Sequence, residues 1–235
     1  MDLILFKNAY KYAIIMKLII QIVLWIAIIF LGYKLYNSVT GPVQFNQEKE
    51  VRYRQVIAKL KDIKAAQLAY QEINGSFAGD FDSLVRFIDT AQYAITERRD
   101  SSYADVEKNK AYGISEGYYI DVIVVDTLGF TAVKDSLYAG SDRYKTMMNV
   151  PNAETAKFEL EAGKLDKNGT LYSVFEAKVS KRVVLEGMDK DLINQEEQVN
   201  SVDGVNGPFI SVGSMDEINT SGNWPKVYDT PVRGQ

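Results

Sequence analysis

An apolar run of 23 residues, from Ala13 to Leu35, constrains this chain more than any other feature. At 1.5 Å per residue, a helix of this length crosses the hydrocarbon core of a bilayer. Lysine stems and aromatic rings favour the two interfaces of such a span. We therefore predict a transmembrane helix over 13–36, and its characteristic residues are Lys17, Leu18, Trp25, Phe30 and Tyr33.

The same run is too long for a signal peptide, and bulky residues follow it where cleavage needs small ones. We expect the span to be retained. Lys7, Lys11 and Lys17 precede it, whereas only Lys34 lies close behind it, which favours a cytoplasmic N-terminus. Residues 1–12 would then be a short cytoplasmic segment, and the C-terminal domain would lie in the periplasm or outside the cell.

Charge is divided unevenly along the chain. Up to Lys64 there are 10 cations and 4 acids, a net +6, and the remainder has 17 cations and 27 acids, a net −10. Basic residues near a span can meet anionic headgroups, or they can dock a partner. Nucleic-acid binding is not expected, because a phosphate backbone needs cations clustered on a folded face.

The chain contains no cysteine and no histidine. This excludes disulfides, zinc–thiolate sites, thiol nucleophiles, Ser-His-Asp triads and histidine general bases. A membrane-bound enzyme that uses carboxylates is a further alternative, but the sequence singles out no pair for glycosidase-like chemistry. We expect no catalytic residue, no metal, no cofactor and no enzymatic activity.

A helical stem is predicted after the span. Gly41-Pro42 predicts a break, with 37–45 as a linker and Asn46 as the cap of a new helix. Apolar residues then recur at helical spacing, and this predicted packing face consists of Val56, Leu60, Ile63, Gln67 and Tyr70. Lys59, Lys61 and Asp62 lie off this face and are expected in solvent.

The stem helix should end near Ile73, where Asn74-Gly75 tolerates positive φ. Asp80 is then expected to cap a second helix that folds back on the stem, with Phe81, Leu84, Val85 and Ile88 on its buried side. These two helices form the predicted unit 46–90.

The segment "IKAAQLAYQEINGSFAGDFDSLVRF", with its turn motif Asn74, Gly75 and Phe77, resembles type IV pilins and type II secretion pseudopilins. It is also similar to uncharacterised envelope proteins of Bacteroidota. The resemblance implies a small antiparallel sheet packed on the helix. It further implies a structural or assembly subunit of a bacterial envelope machine, secretion system or filament at the inner membrane. Its partners would be the lipid bilayer and other envelope proteins, in a homo- or hetero-oligomer.

Two features of pilins are missing, however. No glycine–phenylalanine peptidase site lies near the start, and no acid lies within the apolar run. We therefore expect a pilin-like head on an uncleaved anchor.

The remainder, 91–235, is predicted to be an α/β head with an antiparallel sheet, so the fold class is α+β. Ala91–Tyr112 is expected to be a loop with a short helix. The predicted strands are Tyr118–Val125, one containing Phe158, Leu160 and Ala162, Leu171–Val179 and Phe209–Val212, and "MDKDLINQEEQ" is expected to be helical. Asp166-Lys-Asn168-Gly169 shares a fragment of a calcium loop but lacks the distant glutamate, so a hairpin turn is favoured.

Two further hypotheses remain open from the sequence. Thr90, Thr127 and Ser136 each follow an aspartate, in a pattern that resembles O-glycan acceptors of Bacteroidota envelope proteins. The alternative function is a membrane-tethered periplasmic or surface binding module for a glycan or peptide, with Trp224 and Tyr228 as natural contacts.

Overall fold

The chain has an α+β fold with a long N-terminal helix and two small antiparallel sheets, which confirms the predicted class. This computed structural model describes the backbone of residues 2–153 and 155–230, and within those ranges the side chains from residue 16 onward except Asn37. The helices are α1 (Asp2–Asn74), α2 (Phe81–Thr90), α3 (Val106–Ala111), α4 (Val133–Tyr138), α5 (Lys181–Val184) and α6 (Lys190–Glu197). The strands are β1 (Gln92–Ala104), β2 (Tyr119–Ala132), β3 (Glu159–Lys167), β4 (Thr170–Ser180) and β5 (Phe209–Gly213).

The predicted break at Gly41-Pro42 is wrong, because α1 runs through 37–45 as one helix of 73 residues, about 110 Å long. Asn46 therefore caps nothing. Proline removes one donor, which leaves the Ser38 carbonyl without its helical partner. Ser38 and Pro42 are both exposed, so water can bond that carbonyl, and the Thr40 hydroxyl donates to the Tyr36 carbonyl across the same turn at 2.8 Å.

The second half of α1 forms the centre of the hydrophobic core. Val56, Leu60, Ile63 and Gln67 are fully buried, and Tyr70 is partly buried against the same core. The elements that pack around it, residues 45–230, are called the head from here on. A single helix thus serves as core of the head at one end and projects from it at the other.

The end of α1 and the start of α2 follow their predicted local signals. Gly75, at φ +74°, occupies the left-handed conformation directly after the helix. Asp80 caps α2 by accepting from the Ser83 N–H at 2.7 Å. Phe87 of α2 then packs on Tyr70 of α1, with ring centroids 4.9 Å apart, so α2 folds back on the stem as expected.

A three-stranded antiparallel sheet in the order β3-β4-β5 covers another side of α1. The predicted strands around Phe158–Ala162, Leu171–Val179 and Phe209–Val212 correspond to β3, β4 and β5. Asn168 and Gly169 take φ of 56° and 80° in the tight turn between β3 and β4, which confirms the hairpin. Phe175 of β4 packs on Phe77 at 4.6 Å between ring centroids, so the sheet is joined to the turn after α1.

The second sheet is a two-stranded ribbon of β1 and β2, paired from Gln92–Ala132 to Ala104–Tyr119. The predicted loop over 91–112 is therefore wrong for its first part, which is a strand, and right for its short helix α3. Predicted strand 118–125 is longer than expected and reaches Ala132 as β2. β1 escaped prediction because its polar sequence acquires a strand conformation only by pairing with β2.

The structure also assigns the short segments whose secondary structure the sequence left ambiguous. "FTAVKDSLY" is divided between the end of β2 and helix α4. Val183–Leu185, ambiguous from sequence, belongs mostly to helix α5. The "MDKDLINQEEQ" helix is confirmed as α6, where Ile193 is buried and Leu192 is half-buried.

Candidate membrane-anchor helix and its junction with the head

The first half of α1 leaves its large apolar side chains uncovered from Met16 to Tyr36. Trp25 is 63% exposed, whereas Leu60 on the same helix is fully buried. Among the described residues, α1 is the one helix long and apolar enough to cross a membrane. Contact with water makes such a surface unfavourable by roughly 25 cal/mol per Å² of apolar area. This apolar segment is therefore compatible with a single-pass membrane anchor.

All five predicted anchor residues lie on this segment: Lys17, Leu18, Trp25, Phe30 and Tyr33 are exposed. The Lys34 ammonium lies over the Phe30 ring, 5.9 Å from its centroid, near the end closer to the head. The side chains of Lys7 and Lys11, on which the predicted orientation depends, lie outside the described residues.

A buried lysine marks the place where the projecting helix enters the head. Lys181, at the start of α5, is completely buried, and its ammonium donates to the carbonyls of Glu196 and Val205, both at 2.6 Å. The Glu196 carboxylate lies 3.4 Å away and supplies the opposite charge. Burial lowers the pKa of Lys181, while the charge of Glu196 opposes that shift.

Glu196 also connects this lysine to α1. Its carboxylate accepts from the Lys49 ammonium at 2.9 Å and from the Tyr53 hydroxyl at 3.3 Å. Burial, and next the charge of Glu196, raise the pKa of Tyr53 above its ordinary range. These four residues, Lys49, Tyr53, Lys181 and Glu196, form what we call the junction cluster, and it ties α1 to α5 and α6.

Arg52 extends this connection on the surface. Its guanidinium donates to the Val184 carbonyl at 3.1 Å and to the Glu186 carbonyl at 2.9 Å. Lys181 and Arg182 are cations in a helix of one turn, and the Glu196 and Glu197 carboxylates at the end of α6 pair with them. The junction is thus held by ion pairs and by hydrogen bonds from side chains to backbone carbonyls.

At the opposite end of the head, the turn motif is held by a buried amide. Gln67 donates to the Ala78 carbonyl at 2.8 Å and accepts from the Ala78 N–H at 2.9 Å. Gln67 therefore belongs to the packing face because it satisfies the turn's backbone. Asn74 and Gly75 form the exposed part of this turn, and Phe77 is buried beside Phe175.

Gln67→Leu should lower the free energy of unfolding of the head by about 1–3 kcal/mol, because both buried backbone groups of Ala78 lose their partner. Gln71→Leu, one turn later on the less buried side, is the matched control and should change it by about 0.5 kcal/mol or less. Urea unfolding in detergent measures both variants. Equal stability of the two variants would contradict the stabilising role assigned to the hydrogen bonds between Gln67 and Ala78.

The polar residues of α1 that were expected in solvent are half-buried, so that interpretation is wrong. Arg143 donates to the Asp62 carboxylate at 3.0 Å, and the Tyr138 hydroxyl donates to the Asp62 carbonyl at 3.1 Å. Lys59 donates to the Thr146 carbonyl at 3.1 Å. Lys61 pairs with Asp229 at 2.8 Å. These residues hold the loops of the head against the helix, and periodicity alone could not reveal such partners.

The predicted O-glycan acceptors are accessible. Thr90, Thr127 and Ser136 are all exposed, at the end of α2, in β2 and in α4 respectively. The Thr90 hydroxyl donates to the Arg86 carbonyl at 2.9 Å. Exposure permits modification but does not test it, so glycosylation stays a prediction.

The two aromatic residues suggested for ligand binding are engaged within the fold. Trp224 packs against the core and donates from its indole N–H to Asp229 at 3.1 Å. Tyr228 packs on Tyr53, with centroids 6.4 Å apart, and the Arg54 guanidinium lies 5.4 Å from its ring. Both therefore attach the C-terminal segment to the stem.

A shallow cleft of about 430 Å³ lies at the end of the head farthest along α1. Its walls combine the turn motif, β4 and the segment after β5, and they are lined by Gln71, Phe77, Tyr172, Ser173, Val174, Ile218, Asn219 and Thr220. The lining is uncharged, so the cleft suits an uncharged polar ligand better than an ion. Across the residues that the structure describes, no group of three or more acidic side chains is arranged to hold a metal ion. The Asp166 carboxylate accepts from the Gly169 N–H at 2.9 Å, as in a hairpin turn.

The burial and pairing of Lys181 and Glu196 were not predicted from the sequence. Each lies next to a residue of the same charge, Arg182 and Glu197 respectively, which ordinarily indicates a solvated surface. Apolar neighbours such as Val184, Leu185 and Ile193 were the available signal that these short helices pack inward.

No protein-family model, curated protein or solved structure matches this chain. The kinship with pilins stays a prediction from the residues that carry the resemblance.

Proposed function

We propose that this chain is a single-pass, membrane-anchored structural or assembly subunit of a bacterial envelope machine, secretion system or filament, with a pilin-like head. The observation that carries the proposal is the division of α1. Its first half is exposed and apolar, and its second half is the core of the head. A continuous helix with this division couples the head mechanically to the bilayer.

The N-terminus lies in the cytoplasm in this proposal, and the head lies in the periplasm or outside the cell. The excess of lysines before the apolar segment supports that orientation. The junction cluster supports a structural role, since it fixes the head to α1 close to the place where the helix leaves it. The proposal includes no catalytic activity and no cofactor.

The anchor is tested by introducing charged residues into the apolar segment. Leu24→Arg combined with Ile28→Arg should release the protein from membranes washed with alkaline carbonate, because each arginine near the bilayer centre costs about 2.5–3.5 kcal/mol. Val39→Arg combined with Val43→Arg is the matched control, since both valines are exposed on the same helix beyond the predicted span. The control should stay in the membrane fraction. Release of the unmodified protein by carbonate would overturn the anchor.

The assembly role is tested by affinity purification of the full-length protein from native membranes in mild detergent. We expect partner proteins or ordered oligomers to be recovered with it. A lone monomer, recovered repeatedly while the head is folded, would contradict the role.

A tethered module for binding a glycan or peptide is the second candidate function. The uncharged cleft beside Phe77, Tyr172 and Ile218 favours it. Saturable binding of an oligosaccharide, lost on Tyr172→Ala, would support this function over assembly, whereas recovery of stable oligomers without such binding would favour assembly.

A further inference from the structure

The ribbon of β1 and β2 extends from the rest of the head over about 40 Å and has few neighbours in the described structure. Its main contacts with other elements are those of β2 with α2 and α4, at the base. A two-stranded sheet without a covered face is marginally stable in water. The ribbon therefore has both the length and the physical need to associate with another surface.

Exposed apolar side chains are concentrated on β2. Ile123 is 51% exposed and Val125 58%, and the set comprises Tyr119, Ile120, Ile123, Val125, Leu128 and Phe130. An edge strand of this kind has a row of free N–H and C=O groups beside apolar side chains, which is a template for a further strand.

The outer edges of the two strands differ in charge. At the middle of β1 lie the consecutive charged residues Glu97, Arg98, Arg99 and Asp100, of the kind that protects an edge from pairing. The middle of β2 is the apolar stretch 122–125, with single acids at Asp121 and Asp126. Only the β2 edge therefore lacks the protection that isolated edge strands usually have.

We propose that β2 pairs edge to edge with β2 of a second copy of this chain, antiparallel about a two-fold axis at Ile123. The result is a four-stranded sheet with the two β1 strands outermost. In this register every residue from 119 to 127 lies opposite a residue of the second copy. The pairing stops before Leu128, which has no partner on β1 because the ribbon is irregular there. Asp121 then faces Val125 of the second copy, and Asp126 faces Ile120.

A second copy is a better occupant than an unrelated strand for two reasons. The strand is its own complement, because no like charges lie directly opposite in this register, whereas an axis at Asp121 or Asp126 would place two carboxylates together. Copies held in one membrane also meet at high effective concentration, which favours an interface formed by a single pair of strands. In this second respect the inference rests on the anchor proposed above.

The absence of native cysteine allows a direct test in native membranes. Ile123→Cys should give a disulfide-linked dimer on mild oxidation, because the two thiols face each other across the axis. Asp100→Cys is the matched control, since Asp100 lies directly opposite Ile123 in the ribbon. Its counterpart in the second copy is three strand spacings away, about 14 Å, which is too far for a disulfide. The control should remain monomeric.

Co-expression of Asp121→Cys with Val125→Cys tests the register independently and should give a mixed dimer in preference to either homodimer. Equal cross-linking of Ile123→Cys and Asp100→Cys would overturn the proposal, as would absence of cross-linking in both tests. If cross-linking fails while the unmodified protein still purifies with partners, only the strand pairing is wrong. If the unmodified protein leaves the membrane and has no partners, the proposed function is wrong.

Discussion

Replacing Glu196 by alanine should lower the free energy of unfolding of the head by about 3–5 kcal/mol, because it leaves a buried charge without its counter-ion. Lys181 would keep its two carbonyl acceptors but lose the carboxylate at 3.4 Å. Lys49 and Tyr53 would lose the carboxylate that accepts a hydrogen bond from each of them. One substitution thus removes the carboxylate at the centre of the junction cluster, while the bonds of Arg52 remain.

Fluorescence of Trp224 during urea unfolding in detergent measures this loss. The chain has two tryptophans, and a Trp25→Phe background leaves Trp224 as the reporter in the head. Glu197→Ala is the matched control, since Glu197 pairs with the exposed Arg182 and such pairs contribute about 0–1 kcal/mol. Glu196→Gln should fall between the two, because it keeps the shape and loses the charge. If Glu196→Ala and Glu197→Ala are equally stable, the Glu196 carboxylate stabilises the head no more than an exposed ion pair does.

Replacing Leu60 by alanine should lower the free energy of unfolding of the head by about 2–5 kcal/mol without changing membrane association. Leu60 is fully buried where α1 meets the rest of the core, so its truncation removes apolar contacts and leaves a cavity. The apolar segment is tens of ångströms away along the same helix and makes no use of this residue. The substitution should therefore lower the stability of the head but leave the membrane-retained fraction of the protein unchanged.

Leu68→Ala provides the control on the same helix, since Leu68 is 38% exposed and its loss should cost about 0.5 kcal/mol. Both variants are compared by the Trp224 signal in urea and by the fraction retained after carbonate washing. Release of Leu60→Ala from the membrane while its head remains folded would contradict the division of α1 into an anchor and a core half.

Together these substitutions test how strongly the head is held on α1 by the junction cluster and by the packing face around Leu60. The junction cluster resists sliding of α1 through charge pairs and hydrogen bonds, whereas the face around Leu60 resists it through packing.

Much of the fold could be predicted where a local signal decided the structure. The packing face of α1 followed from apolar spacing, the cap at Asp80 from a side chain that bonds its own turn, and the β3–β4 hairpin from Asn168-Gly169. Each of these depends on residues within a few positions of one another, so the sequence contains the necessary interactions explicitly.

Prediction failed where a distant partner or the solvent decided the outcome. Gly41-Pro42 indicated a break, yet the exposed position of Pro42 allows water to replace the lost bond. The polar stretch of β1 indicated a loop, yet pairing with β2 makes it a strand. Asp62 indicated a solvated carboxylate, yet Arg143, 81 positions later, binds it.

The sequence by itself determined that the chain has a membrane-length apolar run, that an amphipathic helix with a Gly75 end follows it, and that the head is α+β. These properties depend on composition and on contacts between near neighbours. The tertiary structure alone decided that the run and the stem are one helix, that Lys181 and Glu196 are buried together, and that no other described strand pairs with the apolar edge of β2. Those outcomes depend on groups brought together from distant parts of the chain, whose burial and pairing no local pattern specifies.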